Sequence, residues 1–420
     1  MNFWRKIRII SFLALATVVF VFIYVIYSVT NRSFASNDLF PTIKIALNGV
    51  SLDELKEGNK ETKYEGNNLE FIDVNGSYNF SNVQVKGRGN STWGTPKPPL
   101  QIKFEQKVDL LGLGPRKKYI LLANYIDYSN LRNDVLFKMT DMIGEEYRAT
   151  GEFIELYVND EYLGLYYLTT KTEIGKDSVD LRDEYAGFFE LDTLHAGFED
   201  CYYSGAGECL IIKDAKSEDL DTRELIMADF VEKFSLLEEA AKRGDFADVS
   251  DVADVKSLAE YFLISEFASN PDAHNSSFNL YKDGFSDKIH AGPLWDYDFA
   301  FGNREWIWGV DSDVHSPEVY MVHGRSILAR EEAYSDVGRL MYYLIEIPEF
   351  REEVVRIFRE KLLGRKNELI EYIKNRAMFI RGVALKDSHK WRAENRFDLE
   401  VEYLIDWVVR KYEFLELMWL

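Results

Sequence analysis

Three aspartates have the types and spacing that could do chemistry. Asp272 lies in NPDAHNSSFNLYKD (270–283), just past an amphipathic helical stretch that Pro271 must end. Asp296 and Asp298 stand one residue apart in GPLWDYDFAFG (292–302), where buried charge would need a partner. If WDYDF is a strand, both acids share one face, with Trp295, Tyr297 and Phe299 on the other. Two carboxylates that close favour a divalent cation. Each motif alone has a plainer reading: an Asx turn for Asp272 and the solvent face of an amphipathic strand for the pair. Together they match a phosphoryl-transfer layout: a loop Asp, polar side chains three to five residues on, and another Asp 24 residues later. One carboxylate would orient the attacking hydroxyl while the others hold magnesium on the phosphates.

A second segment offers groups for the phosphates themselves. In KGRGNSTWGTPKPPLQIKF (86–104), Gly87 and Gly89 permit close backbone approach, and Arg88, Asn90, Ser91 and Thr92 carry donors. Lys103, on the strand that follows, would reach a phosphate as a point charge. A Gly-rich β-turn with polar caps is the plainer alternative.

The elements that must position these residues change character along the chain. FPTIKIAL, NVQVKGRG, LQIKFE, KYILLAN, GEFIELYVN and YLGLYYLT read as strands between Gly, Asn and Pro punctuation. YVNDEYLGLYYL reads as a hairpin turning at Asn159 and Asp160. One helix, YSNLRNDVLFKMTDMI, interrupts the strands and is expected to be capped by Ser129 or Asn130. From about residue 217 the period becomes helical, apart from a short extended pair, SFNLYKDG and KIHAGPLWDYD. The expectation is a bilobal α+β fold, strand-rich to about residue 215 and helix-rich after, with the site between lobes.

Composition narrows the partners. A net charge of −21 argues against nucleic acid as the main partner. Arg5, Lys6 and Arg8 precede an apolar run of 21 residues, Ile9 to Val29, which is long enough to span a bilayer. Residues 1–8 are therefore expected in the cytoplasm, 9–29 as a transmembrane anchor, 30–39 as a linker, and 40–420 as an extracytoplasmic domain. A cleaved signal peptide is the alternative. In an exported domain Cys201 and Cys209 are expected to form a small-loop disulfide, the alternative being two free thiols.

RGNSTW, ANYIDYSNLRN, ELYVNDEYLGLYYLTTK, GFFELD, NPDAHNSSFNLYKD and GPLWDYDFAFG occur in order, with PEFREEV and LIDWVVRKYEFL in the tail. This set resembles the CotH kinase family, named for spore coat protein H, over roughly residues 40–415. The resemblance implies an atypical protein-kinase-like fold that phosphorylates protein Ser, or Thr, hydroxyls with ATP and Mg²⁺ or Mn²⁺. It makes Asp272 the catalytic carboxylate, Asp296 the metal-binding acid, and Asp298 a support for the metal or its waters. Arg88, Asn90, Ser91 and Lys103 would lie near the nucleotide, and a surface or envelope protein would be the substrate. Two positions depart from the family pattern. Ser277 stands where relatives carry a metal-binding Asn, leaving Asn275 or Asn279 to substitute, and Thr170 stands where they carry an acid, with Glu173 nearby. Two other functions compete: a non-catalytic interaction module using aromatics such as Trp306 and Trp308, and a glycosyltransferase using Asp296-Tyr297-Asp298 as its metal motif. The last requires a doubly wound α/β sheet.

Overall fold

A computed structural model describes residues 39–193, 197, 200–303, 316–323 and 338–420. The stretch 9–29, most of the linker, and Trp306 and Trp308 lie outside the described residues. Among the described residues no helix is long and apolar enough to cross a membrane.

Seven strands close into a barrel in the order β1-β2-β3-β4-β5-β7-β6. They are β1 (Thr42–Ala46), β2 (Tyr64–Asp73), β3 (Gly76–Gly87), β4 (Leu100–Val108), β5 (Arg116–Leu122), β6 (Gly151–Val158) and β7 (Glu161–Thr170). The parallel pairing of β1 with β6, Thr42 opposite Glu155, makes the closure. Alternating Ile43, Ile45, Val83, Val85, Ile102, Ile154 and Leu156 fill the interior, so closure buries one face of every strand and removes the sheet edges. The β6–β7 turn falls at Asn159 and Asp160 as expected, both at positive φ, which suits the twist of a two-residue hairpin.

A second sheet runs β12-β11-β8-β10-β9. Its strands are β8 (Gly187–Leu191), β9 (Tyr202–Tyr203), β10 (Cys209–Ala215), β11 (Phe278–Lys282) and β12 (His290–Ala291). The strand-rich first part and helix-rich second part are as expected, and the short extended pair expected after residue 215 contributes β11 and β12. β8 pairs with β11 from beyond that point, Phe278 opposite Leu191, so the later strands complete a sheet begun by the earlier ones. Sequence periodicity cannot show such a long-range pairing.

The helices are α1 (Leu52–Glu57), α2 (Arg132–Ile143), α3 (Leu220–Arg243), α4 (Phe246–Val252), α5 (Val255–Ala268), α6 (Leu340–Glu346), α7 (Pro348–Ile357), α8 (Lys366–Trp391) and α9 (Phe397–Trp419). α5 is buried on every side from Leu258 to Ala268, which explains its near-continuous apolar sequence. It ends where Ser269 turns left-handed at φ 45°, two residues before Pro271.

Neither Ser129 nor Asn130 caps α2; Leu131 is its N-cap residue and makes no side-chain cap bond. Asp127 instead accepts the first-turn N–H of Arg132 at 2.9 Å and also pairs with that residue's guanidinium. Ion pairs then tie the barrel to the helices: Lys97 with Asp387 of α8, both buried, at 2.7 Å, and half-buried Arg376 of α8 with Glu152 of β6 at 2.6 Å; Arg376 also binds Asp134 of α2 at 2.9 Å. Removing one partner of a pair as buried as Lys97–Asp387 costs about 3–5 kcal/mol, which holds the barrel in fixed relation to α8.

Candidate active site

Between barrel and helices lies a cleft of about 520 Å³. It is lined from one side by Arg88, Asn90, Ser91, Lys103, Lys118 and Lys171, and from the other by Asp272, Ser277, Asn279, Asp296 and Asp298. A larger groove, about 940 Å³, opens beside β2, β3 and α8, but its lining is mainly apolar.

The basic wall rises from the barrel. Gly89, at φ 88°, turns the chain out of β3, and Lys60 fixes that turn by donating to Gly89 O and Asn90 Oδ1, both at 2.8 Å. On the adjoining strands Lys103 stands directly opposite Lys118. Like charges facing each other across a ladder are destabilising unless an anion lies between. Glu173 relieves one side, binding Lys118 at 2.6 Å and Lys171 at 3.4 Å. Burial pushes the Glu173 carboxyl up, but the hydrogen bonds and charges of the two lysines outweigh it and hold the group below its ordinary value. Glu173 thus pairs with two lysines of the cleft wall. Lys103 lines the same cleft and, among the described residues, makes no ion pair.

The acidic wall is made of two loops joined by a residue that the sequence reading missed. Asn270 accepts the Asp272 N–H at 3.2 Å and donates to Asp296 O at 3.4 Å. The segment around Asp296 is not a strand, contrary to expectation. Its backbone is held singly: Tyr297 N donates to Asn133 Oδ1 at 2.9 Å, and Asn303 Nδ2 to Asp298 O at 2.7 Å. Arg132 Nε adds a bond to Ala300 O at 3.0 Å. Asp296 takes φ 69°, a conformation that Asp tolerates better than most residues but that still needs such outside restraint. The strict alternation therefore fails: Asp296 is exposed, Asp298 is buried, and Trp295 is half-buried with the Arg88 guanidinium 5.2 Å above its ring.

Electrostatics show how closely the acids gather. Burial, then the charges of Asp296, Asp127 and Asp272, push the Asp298 carboxyl well above the ordinary carboxylate range. Burial lowers the Arg88 guanidinium's affinity for its proton, while Asp296, Glu190 and Glu61 raise it. Among the described residues no three acidic, His or Cys side chains converge as a ready-made metal cage. Magnesium does not require one, because it is commonly held by one or two carboxylates, substrate phosphates and water. Crowded carboxylates facing lysines across a cleft fit a cation bound with a polyphosphate.

Asn275 does not line the cleft. Its side chain lies against Gly338, and its carbonyl accepts Thr193 N at 2.8 Å. Ser277 and Asn279 face the cleft instead, although Asn279 Nδ2 is engaged with Pro293 O at 2.9 Å. Cys201 and Cys209 are joined in a disulfide, as expected.

Barrel, second sheet and helical body frame a cleft with acids on one wall and lysines on the other, the arrangement of a kinase-like protein. The profile described as CotH kinase protein matches residues 85–415, and the chain belongs to that family. No protein of curated function matches. The chain is similar to a solved Golgi casein kinase at 10% identity, covering 90% of this chain and 73% of that one, with a TM-score of 0.24. It is also similar to the Helicobacter pylori proinflammatory kinase CtkA at 9% identity, covering 76% and 95%, again at 0.24. Scores that low carry no argument, and the family assignment rests on the profile. The strands pair antiparallel apart from β1 with β6 and two isolated bridges, so the described residues lack the doubly wound sheet that the glycosyltransferase reading required.

Proposed function

We propose that the chain is a metal-dependent protein kinase that moves the γ-phosphoryl group of ATP to a protein Ser or Thr hydroxyl. The observation that carries this reading is the facing of Asp272, Asp296 and Asp298 by Arg88, Lys103 and Lys118 across one cleft. Asp272 is the group that accepts the hydroxyl proton as the oxygen bonds to phosphorus and the bond to ADP breaks. Asp296 and Asp298 are the groups that hold Mg²⁺ or Mn²⁺, which when bound neutralises phosphate charge. Arg88, Lys103 and the Asn90–Ser91 turn orient the phosphates, so positioning supplies most of the rate.

A thermal-shift titration with ATP and Mg²⁺ or Mn²⁺, followed by ADP release, tests this. Stabilisation and turnover that both require metal support it, and neither should survive Asp296→Asn. Ser277 favours a second reading, a nucleotide-binding module without turnover, because its hydroxyl occupies the position of the family's Asn. That reading predicts stabilisation with no ADP release. The membrane anchor and extracytoplasmic placement belong to the proposal on the sequence of residues 5–29 alone, and protease accessibility in intact cells tests them.

A further inference from the structure

The disulfide reaches the Asp272 loop through a short run of hydrogen bonds. Asp192 N donates to Cys209 O at 3.0 Å, and Cys209 N donates to Thr193 Oγ1 at 3.4 Å. Thr193 N then donates to Asn275 O at 2.8 Å, and the Asp192 carboxylate accepts Ser276 Oγ at 2.8 Å. Those two residues shape the loop, for Asn275 N and Ser276 N both donate to Asp272 O, at 2.9 and 2.8 Å. Asp192, Asn275 and Ser276 are all buried, so water does not readily replace these bonds.

Cys209 ends the β8–β10 ladder, one residue beyond the Leu210–Leu191 pair, and on its other side lie β9 and the sulfur bridge. β9 contributes only Tyr202 and Tyr203, both exposed, to its pairing with β10. Ladders that short are marginal by themselves. The bridge between Cys201 and Cys209 ties the two arms of the hairpin together, and Cys209 stands beside Asp192.

We propose that Asp192 and Thr193 are positioning residues for Asp272, and that the Cys201–Cys209 disulfide keeps them in place, making phosphoryl transfer sensitive to thiol reductants. Reduction by dithiothreitol breaks the S–S bond, gives two cysteine thiols and leaves the reagent as its cyclic disulfide, a balanced two-electron exchange. The inference rests on the kinase reading for its effect on rate, but not for its effect on the loop.

The test compares the full chain oxidised, reduced with dithiothreitol, and as the Cys201→Ser/Cys209→Ser variant. Amide hydrogen exchange should quicken about ten-fold at Asn275 and Ser276 on reduction, with the barrel strands unchanged. With ATP and Mg²⁺, kcat for ADP release should fall about ten-fold while KM for ATP stays within about two-fold. Asp192→Ala should reproduce the fall, and Asp192→Asn, whose amide oxygen still accepts from Ser276, should largely restore the rate. Equal exchange at Asn275 and Ser276 in oxidised and reduced protein would overturn the inference, whatever the activity. No ADP release from the oxidised protein would defeat the kinase reading instead, leaving the exchange comparison to decide this one.

Discussion

Ser277 Oγ donates to Asp296 Oδ2 at 3.3 Å, joining the residue that departs from the family spacing to the acid assigned to the metal. Both sit at positive φ, 54° and 69°, in a region that Asn and Asp occupy more readily than Ser does. The hydroxyl therefore orients the Asp296 carboxylate from beside it, where a carboxamide oxygen would add a ligand of its own.

Ser277→Asn follows directly from that contact. The backbone there already suits Asn, so the variant should fold with unchanged Tm. Its extra oxygen should lower the Mg²⁺ concentration for half-maximal activation about ten-fold, by analogy with the effect of groups that support metal ligands. A magnesium titration of ADP release checks this, and an unchanged midpoint would place the side chain outside the metal's reach.

Lys103→Ala should separate binding from stability. Removing one of the two facing lysines relieves repulsion worth roughly 0.2–1 kcal/mol, so the ligand-free protein should unfold at slightly higher urea. The same change should raise KM for ATP about ten-fold, the loss of roughly one charge-assisted hydrogen bond. Loss of stability without a change in KM would show that Lys103 has a packing role only.

Glu145 offers a pH signature away from the cleft lysines. Its Oε1 accepts Leu294 N at 2.8 Å, two residues before Asp296, and burial pushes its carboxyl from 4.5 to about 8. The backbone bond and Arg148 oppose the rise, and Glu260 adds to it. A folded-state value above the unfolded one means that the native state keeps a proton the unfolded chain has released. Stability from this group is thus full below about 4.5 and lost as pH rises through about 8. Glu145→Gln keeps the acceptor and removes the titration. Wild type and variant should melt together at about pH 4, with the variant melting a few degrees higher at about pH 9. Parallel Tm–pH curves would refute the assignment.

The strands, the helical second half, the hairpin at Asn159 and the acids of the site were legible because each is a local pattern. Period 2, period 3.6, a two-residue turn and a short motif each sit within one window of sequence. Barrel closure and the β8–β11 pairing were not legible, since they join residues such as Phe278 and Leu191 that no local window contains. The irregular backbone at Asp296 was hidden by its own residue types, because Trp295, Tyr297 and Phe299 alternate as a strand would. The side chains of Asn133, Asn270 and Asn303, and the guanidinium of Arg132, reveal that the segment is held by single bonds. Asn270 and Asp127 were missed for a similar reason: each reads as ordinary loop or cap chemistry until its partners are known.

In the proposed mechanism Asp272 accepts a proton during phosphoryl transfer while Asp296 serves the metal. Transfer of labelled γ-phosphate from ATP to protein, measured for wild type, Asp272→Asn and Asp296→Asn across a Mg²⁺ titration, tests it most directly. Asp272→Asn should lose at least about 100-fold in kcat with nucleotide binding intact, and Asp296→Asn should lose metal-dependent binding as well. Transfer that persists in Asp272→Asn at the wild-type rate would contradict the account.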